Sequence, residues 1–199
     1  MSLFKEIYLN NRRRLLTKNV RKKLNLKDIS LISMNCIGGI VYHDMQQKFL
    51  SPTVNLFFKP DDFIKFVNNI DYYISLTPNI TMGENYPIGK LDDITIYFMH
   101  FTSVEEAYKK WEERKQRINK DKIFVIMVER DGFTKENFDA FQKIKYPKLL
   151  FTKTKEYQCD NSLYYPKFKN LPQLPDIIPG RYIYYKMKLV DIISSSFNN

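Results

Sequence analysis

The sequence lacks any hydrophobic run long enough to cross a lipid bilayer, and it contains few cysteines. No stretch of its 199 residues approaches the roughly 18 apolar residues that a spanning helix needs, and no signal-like apolar segment follows the N-terminus. The two cysteines, Cys36 and Cys159, fit neither a disulfide framework nor the ligand spacing of a metal site. We therefore expect a soluble, cytoplasmic protein without structural zinc.

Nucleotide-binding and nucleic-acid-binding motifs are also lacking. The sequence contains neither GxGxxG nor GxxxxGK[ST], so dinucleotide and Walker-type NTP binding have no specific support. It carries no signature of an RRM, a KH domain or a helix-turn-helix, and we expect no nucleic-acid partner. We expect neither a cofactor nor a metal ion.

Charge is distributed unevenly along the chain, whose net charge is +10. Residues 1–27 contain nine Lys or Arg and one Glu, residues 28–141 carry a net charge of −4, and residues 142–199 carry +6. Attraction to anions therefore belongs to the two ends of the chain. An AT-rich genome, indicated by only two alanines among many Lys, Asn and Ile, is an alternative explanation of the basic excess.

The N-terminal segment 3–24 has the pattern of a basic amphipathic helix. Apolar residues recur at intervals that are multiples of four, at Phe4, Tyr8, Leu16, Val20 and Leu24. We expect this stripe to dock on the domain and to leave Arg12 to Arg14 exposed. The alternative is peripheral contact with the inner face of an anionic membrane.

Five apolar, β-rich runs alternate with helical patterns in the middle of the chain. The predicted strands are Ile29–Ser33, Val54–Phe58, Ile94–His100, Ile123–Val128 and Leu149–Thr152. The predicted helices are Gly39–Lys48, Asp61–Ser75, Val104–Asn119 and Lys135–Lys143. This alternation predicts a three-layer α/β fold with one mostly parallel sheet of about five strands and helices on both faces.

The same pattern predicts three segments: a basic helix over residues 1–27, an α/β core over 28–156, and a proline-containing extension over 157–199 that packs on the core. Within the extension, Tyr182 to Leu189 reads as a returning strand or a short helix. The final Ser194–Asn199 is expected to fray.

Polar residues follow the predicted strands at the point where each strand ends. Asn35 and Cys36 follow the first strand, His100 ends the third, and Arg130 and Asp131 follow the fourth. Because ligands bind outside the carboxyl ends of parallel strands, we expect these side chains to gather at one edge of the sheet.

Cys36 is the candidate nucleophile at this edge. A thiol in a turn that enters a helix lies near the positive end of the helix dipole, which lowers its pKa. His43 or His100 is the candidate base, and Asp131 is the candidate residue that orients the base. The alternative is that Cys36 is an inert, buried thiol and that both histidines only form ordinary hydrogen bonds.

Substrate-binding candidates surround this cysteine. Asn35 precedes it, and Gly38 and Gly39 would let a phosphate approach a helix N-terminus. Arg114, Arg117 and Arg130 are candidates for holding a phosphate or carboxylate, although pairing with nearby surface acids is the alternative for the first two. The predicted site therefore has ten residues: Cys36, the six binding candidates of this paragraph, and His43, His100 and Asp131.

Several segments together resemble a bacterial family of exopolysaccharide or capsular polysaccharide biosynthesis proteins of unknown mechanism. The resembling pieces span about residues 30–152 and are NCIGG, YHD with FLSPTVNLF, YPIGKLDDITIYFMHF, KKWEERKQRIN and FVIMVERDGFT. The resemblance implies an α/β fold and work in cell-surface glycan assembly, without agreed catalytic residues. The family pattern has an aromatic after the cysteine, where this chain has Ile37, and an acid-Arg-acid triplet, here Glu129 to Asp131.

Two functions therefore compete. The first is a transferase that takes an activated sugar or acyl group from a nucleotide-sugar or acyl donor to a glycan acceptor. The second is a non-catalytic module that binds a glycan or phosphate polymer in an assembly complex. An enclosed apolar pocket at Cys36 would favour catalysis, and a shallow groove lined with aromatics would favour the module.

Overall fold

The computed structural model describes residues 3–197. Its helices are α1 (Leu3–Lys23), α2 (Ile37–Met45), α3 (Pro60–Asn68), α4 (Ile70–Ser75), α5 (Val104–Lys115), α6 (Lys135–Lys143) and α7 (Lys188–Phe197). Its strands are β1 (Ser30–Ser33), β2 (Asn79–Met82), β3 (Pro87–Leu91), β4 (Ile94–Tyr97), β5 (Ile123–Val128), β6 (Lys148–Thr152) and β7 (Ser162–Tyr164). Short 3-10 segments cover Lys155–Tyr157, Pro166–Phe168 and Pro179–Met187.

The centre of the molecule is a four-stranded parallel sheet in the order β1-β5-β6-β7. All six residues of β5 are buried, as expected for a central parallel strand that is covered on both faces. The predicted α/β class is confirmed. Strand β7 belongs to the extension, where the polar and proline-rich sequence concealed it.

A second sheet, antiparallel and in the order β2-β3-β4, corrects the prediction of one mostly parallel sheet. Leu91 pairs with Ile94, so Asp92 and Asp93 form a two-residue hairpin connection, with Asp92 at a φ of 56°. Strand β4 therefore joins its sequence neighbour β3 rather than the parallel sheet. Its apolar composition fits either arrangement, which is why the sequence pattern misassigned it.

The predicted strand Val54–Phe58 is also wrong, because this segment is irregular. It turns at Asn55, whose φ is 66°, and then forms an isolated antiparallel bridge from Phe57 to Tyr97. The Phe58 amide donates to the Met34 carbonyl oxygen at 2.9 Å. The segment thus connects the end of β1 to the antiparallel sheet.

Helix α1 docks on the rest of the protein from Leu9 onward, and its first two turns are exposed. Val20 and the following Leu24 are buried and Leu16 is half-buried, whereas Phe4 and Tyr8 are exposed. The prediction of a docked stripe is therefore correct for the last turns and wrong for the first two.

The predicted exposure of the arginines is correct for Arg13 and Arg14 and wrong for Arg12. The Arg12 Nε donates to the Gly180 carbonyl oxygen at 3.0 Å, and its guanidinium lies 4.8 Å from the centre of the Tyr182 ring. Arg12 therefore holds α1 against the C-terminal extension.

The C-terminal extension crosses the carboxyl edge of the parallel sheet. The Leu174 amide donates to the Glu129 carbonyl oxygen at 2.9 Å, and Ile177, Ile183 and Leu189 are buried. Tyr182 to Leu189, predicted as a strand or short helix, is a kinked 3-10 segment that leads into α7.

Residues 194–197, which were expected to fray, belong to α7, and Asn198 and Asn199 lie outside the described residues. Among residues 3–197, no helix is long and apolar enough to cross a membrane.

Candidate functional site

A cavity of about 510 Å³ lies where the predicted strand ends were expected to meet. Its polar lining consists of Asn35, Cys36, His100, Arg130 and Asp131, together with Asp176 from the C-terminal extension. The rest of the lining is mainly apolar, namely Ile37, Ile40, Phe57, Met99, Val128, Pro175, Ile177 and Ile178. The cavity opens to solvent at Met99 and His100, which are exposed.

Cys36 and His100 form the central pair of the cavity. Cys36 is the residue that precedes α2, and His100 follows β4, so the two come from different sheets. The Cys36 Sγ lies 3.1 Å from the His100 Nε2 and 4.0 Å from the Met99 Sδ. This is the distance at which a histidine accepts a proton from a nucleophilic thiol.

The pKa of Cys36 shifts opposite to the expected direction. Burial and, to a smaller extent, the nearby Asp176 carboxylate raise the pKa of this thiol to about 11, while a backbone hydrogen bond and Arg130 act in the opposite direction. Since removal of the thiol from water outweighs the helix terminus, the expectation of a lowered pKa is wrong. Cys36 is therefore a neutral thiol at pH 7 and needs a base if it is to act as a nucleophile.

Arg130 and Asp131 are paired with each other at the wall of the cavity. The Arg130 Nε donates to the Asp131 Oδ2 at 3.1 Å, and Asp131 takes a φ of 58° in the turn after β5. The Asp131 amide donates to the Gln173 Oε1 at 3.0 Å. Among the described contacts the carboxylate of Asp131 makes none with His100, so the structure does not assign it the predicted orienting role.

Glu129, the first member of the acid-Arg-acid triplet, is buried beneath this wall. Burial alone would raise its pKa, but hydrogen bonds from Thr152, Thr154 and Lys153 hold the pKa of this carboxyl below its usual range. The Thr154 hydroxyl donates to Oε1 at 2.6 Å and the Lys153 amide donates to Oε2 at 2.8 Å. Glu129 thus fastens β5 to the end of β6.

Asn35 shapes the turn into α2. Its Oδ1 accepts a hydrogen bond from the Ile37 amide at 3.2 Å, which fixes the chain on both sides of Cys36.

Gly38 and Gly39 serve close packing instead of lining the cavity. A Cβ at Gly38 would lie 2.9 Å from the Ser33 Cβ, and one at Gly39 would lie 2.9 Å from a Val54 methyl group. Because these two residues lack side chains, α2 can lie close to β1 and to the irregular segment that contains Val54. The prediction that they admit a phosphate finds no support in this arrangement.

Three other predicted residues lie outside the cavity. His43 is on α2 with a 65% exposed side chain, and its Nδ1 lies 3.7 Å from the Asp44 Oδ1. Arg114 is buried, donates to the Val54 carbonyl oxygen at 2.7 Å and faces the rings of Phe49 and Phe101. The Arg117 Nη2 lies 3.7 Å from the Glu113 Oε2, just beyond the end of α5.

Of the predicted site residues, the structure brings together Asn35, Cys36, His100, Arg130 and Asp131 at the cavity. It leaves out Gly38, Gly39, His43, Arg114 and Arg117.

Asp176 is the cavity residue that the sequence pattern missed. Its Oδ1 accepts from the Ile178 amide at 2.9 Å, which shapes the strap formed by residues 175–178 across the cavity. Its only sequence signal is its place after Pro175 in the proline-containing extension, and that signal predicts a turn rather than a site.

A second polar cluster lies at the other end of α2. Asp44 is buried, its Oδ1 accepts from the Arg181 Nη2 at 2.8 Å, and its Oδ2 accepts from the Tyr184 hydroxyl at 2.9 Å. Arg181 is itself buried, and burial beside Asp44 raises the pKa of Tyr184. This cluster ties the C-terminal extension to α2.

Across residues 3–197, no group of three or more His, Cys, Asp or Glu side chains is arranged to hold a metal ion.

The fold and the cavity define a class: a mixed α/β protein with a cysteine–histidine pair at the carboxyl edge of a parallel sheet. A family model described as "Domain of unknown function (DUF1919)" matches residues 7–194, so the chain belongs to this family. An uncharacterised protein of Haemophilus influenzae is similar to it, with 38% identity over 173 residues that cover 85% of this chain and 84% of the relative. Neither description names an activity or a link to exopolysaccharide, and that link stays an expectation of the resemblance.

Proposed function

We propose that this protein is an acyl-transfer enzyme in which Cys36 is the nucleophile and His100 is the general base. The observation that carries the proposal is the 3.1 Å separation of the Cys36 Sγ and the His100 Nε2 at the solvent-open side of a 510 Å³ cavity. A thiol beside an accessible imidazole, next to a largely apolar cavity, is the arrangement that covalent acyl transfer requires.

The raised pKa of Cys36 defines how the pair would work. Since the thiol is neutral at pH 7, its proton passes to His100 as the sulfur attacks, in the way that a serine nucleophile is activated. This requires the histidine tautomer in which Nδ1 carries the proton and Nε2 accepts.

The proposed reaction has two halves. The Cys36 sulfur forms a bond to the carbonyl carbon of a thioester or ester donor, the thiol proton moves to the His100 Nε2, and the donor carbon–sulfur or carbon–oxygen bond breaks. His100 returns this proton to the departing thiolate or alkoxide. An acceptor hydroxyl then loses its proton to His100 and attacks the acyl-cysteine, and the departing Cys36 sulfur recovers a proton from His100.

The charges of the cavity favour an acyl donor over a nucleotide-sugar. Asp131 and Asp176 place two carboxylates in the lining, and Arg130 is already paired with Asp131. A diphosphate at this position would meet two negative charges and a cation that is partly neutralised. An aliphatic or other uncharged acyl chain matches Ile37, Ile40, Val128 and the remaining apolar lining.

The proposed acceptor is a sugar hydroxyl of a cell-surface polysaccharide or of its precursor on the cytoplasmic side. The support for this is the resemblance carried by NCIGG, FVIMVERDGFT and the segments between them. Against the alternative of a glycan-binding module, Phe57 is the only Phe, Tyr or Trp that lines the cavity within the described residues. Carbohydrate-binding grooves use aromatic platforms, and this cavity offers a nucleophile instead.

Turnover of p-nitrophenyl esters of increasing acyl chain length tests the proposal. We expect nitrophenolate release that falls at least about a hundredfold in Cys36→Ala and in His100→Ala, since base catalysis contributes typically 10²- to 10⁴-fold. The chain supplies matched controls in its other cysteine and its other histidine: Cys159→Ala and His43→Ala should retain the activity. Equal loss in the control variants, or glycan binding without ester turnover, would contradict the proposal and favour the binding module.

A further inference from the structure

We infer that the outward face of α1 binds an anionic phospholipid surface, with an apolar tip that inserts and a basic half that meets the headgroups. The observations concern only the surface of α1, so the inference is independent of the proposed function.

The apolar tip consists of the first turns of α1. Leu3, Phe4, Ile7 and Tyr8 are exposed there, with Phe4 at 84% and Leu3 at 69%, and Leu15 is exposed two turns further along the helix. They make up five of the eleven large hydrophobic residues that are exposed among residues 3–197, although α1 contributes 21 residues. Such a concentration on one element marks a surface that is covered by a partner or a membrane.

The basic half follows on the same face of the helix. Phe4, Leu15 and Lys22 are separated by 11 and then 7 residues, close to three and two full turns, so they share one line along the helix. Lys18 and Arg14 lie to one side of this line, and both are exposed. With Thr17, Arg21 and Lys22 they line a shallow cleft whose only charged groups are cationic.

The opposite face of α1 is occupied by the domain. Val20 is buried, Leu16 is half-buried, and Arg12 is bonded to Gly180, so these side chains hold the helix with its exposed side chains on the outward face. Because the docked turns fix α1, the tip and the basic half are presented together and no folding on the membrane is needed to align them.

The arrangement of charge selects an anionic membrane as the occupant. Glu6 is the only acidic residue before Asp28, against nine Lys or Arg. Basic side chains gain about 1 kcal/mol each at an anionic lipid surface, and apolar side chains beside them bury in the headgroup boundary. A second copy of this face, paired side by side in parallel, would set like charges against each other, and a nucleic acid would leave Leu3 and Phe4 in water.

Co-sedimentation of the full chain with vesicles tests the inference. We expect binding to vesicles of phosphatidylcholine with about 30% phosphatidylserine, and at least about tenfold weaker binding to phosphatidylcholine alone or at high salt. Arg14→Gln/Lys18→Gln/Lys22→Gln should lose at least about tenfold of the affinity, and Phe4→Ser/Ile7→Ser should lose a similar factor.

Matched control variants remove the same groups elsewhere. Lys109, Lys122 and Lys143 are exposed, and their combined change to Gln removes the same charge. Leu171→Ser/Met82→Ser removes two exposed apolar side chains outside α1. Both controls should bind like the unaltered chain.

Three outcomes would overturn the inference. They are equal binding to neutral and anionic vesicles, equal loss in the control variants, or a dimer in light scattering that becomes a monomer in Phe4→Ser/Ile7→Ser. The last outcome would assign the face to a second copy of the chain.

Discussion

The two ends of helix α2 carry polar residues of opposite character. At its C-terminal end, Asp44 is buried and each carboxylate oxygen is bonded, to Arg181 and Tyr184. At its N-terminal end, Cys36 meets a single imidazole, that of His100, beside a cavity that opens to solvent. The same nine-residue helix therefore carries a closed polar cluster and an open one.

The difference separates groups that hold the fold from groups that are available for chemistry. When one partner of a buried ion pair is removed, the protein loses several kcal/mol of stability, because the remaining charge is buried without a counter-charge. Changing a half-buried thiol or an exposed histidine beside it lowers the free energy of unfolding of the protein only slightly. We therefore expect stability to depend on the Asp44 end and reactivity to depend on the Cys36 end.

The largest expected effect is that of Arg181→Met. This change leaves the Asp44 carboxylate buried without its cation, and we expect a loss of about 3–5 kcal/mol in the free energy of unfolding. Urea unfolding at pH 7.5 measures it. Lys135→Met, which breaks the exposed pair of Lys135 and Asp139, is the control and should cost less than about 1 kcal/mol. A loss below about 1 kcal/mol in Arg181→Met would remove the distinction between the two ends of α2.

Tyr184→Phe should have an intermediate effect. It removes the hydroxyl that donates to the Asp44 Oδ2 at 2.9 Å and leaves the guanidinium in place. Hydrogen bonds to charged groups contribute about 1.5–3 kcal/mol, so the free energy of unfolding should fall by about that amount. The same urea titration, with Tyr185→Phe as the neighbouring control, checks this. If the two variants are equally stable, Asp44 does not depend on the tyrosine.

Changes at the Cys36 end should alter stability least. Cys36→Ala and His100→Ala should each change the free energy of unfolding by less than about 1 kcal/mol, because His100 is exposed and Cys36 makes one side-chain contact of hydrogen-bond length with it. Urea unfolding of both variants measures this. A cost near that of Arg181→Met would mean that the pair is structural.

The pH dependence of Cys36 alkylation sharpens the comparison further. With a pKa of about 11, the thiolate fraction rises about tenfold per pH unit, so the rate with iodoacetamide should climb from pH 7 to pH 10 without a plateau. Asp176→Asn removes a charge that raises this pKa and should speed alkylation at pH 8 by a few-fold. A plateau below about pH 7.5 would contradict the assigned pKa.

Local patterns allowed the sequence to predict much of the parallel sheet. The apolar run of β5 is buried on both faces, and α6 begins at Lys135 as predicted, directly after Thr134, whose side chain accepts from the Asn137 amide and caps the helix. The antiparallel sheet was missed because β2 is exposed and polar and β3 begins at Pro87, so neither shows strand periodicity.

The candidate site was predictable where strand ends define it and not where distant segments meet. Asn35, Cys36, Arg130 and Asp131 follow two parallel strands and were found from that rule. His100 also lines the cavity, as predicted. It follows β4 of the antiparallel sheet, however, and not a parallel strand as the prediction assumed. Asp176 could not be predicted, since only the path of the extension across the sheet edge brings it near Cys36.

The most direct test of the central claim is mass spectrometry of the protein after exposure to a simple acyl thioester at pH 7.5. The account predicts one added acyl group, mapped to Cys36, released by neutral hydroxylamine, and formed at least about tenfold more slowly in His100→Ala. His43→Ala should leave the rate unchanged, and Cys159 should stay unmodified. Acylation of Cys159 at the same rate as Cys36, or a Cys36 rate that does not depend on His100, would contradict it.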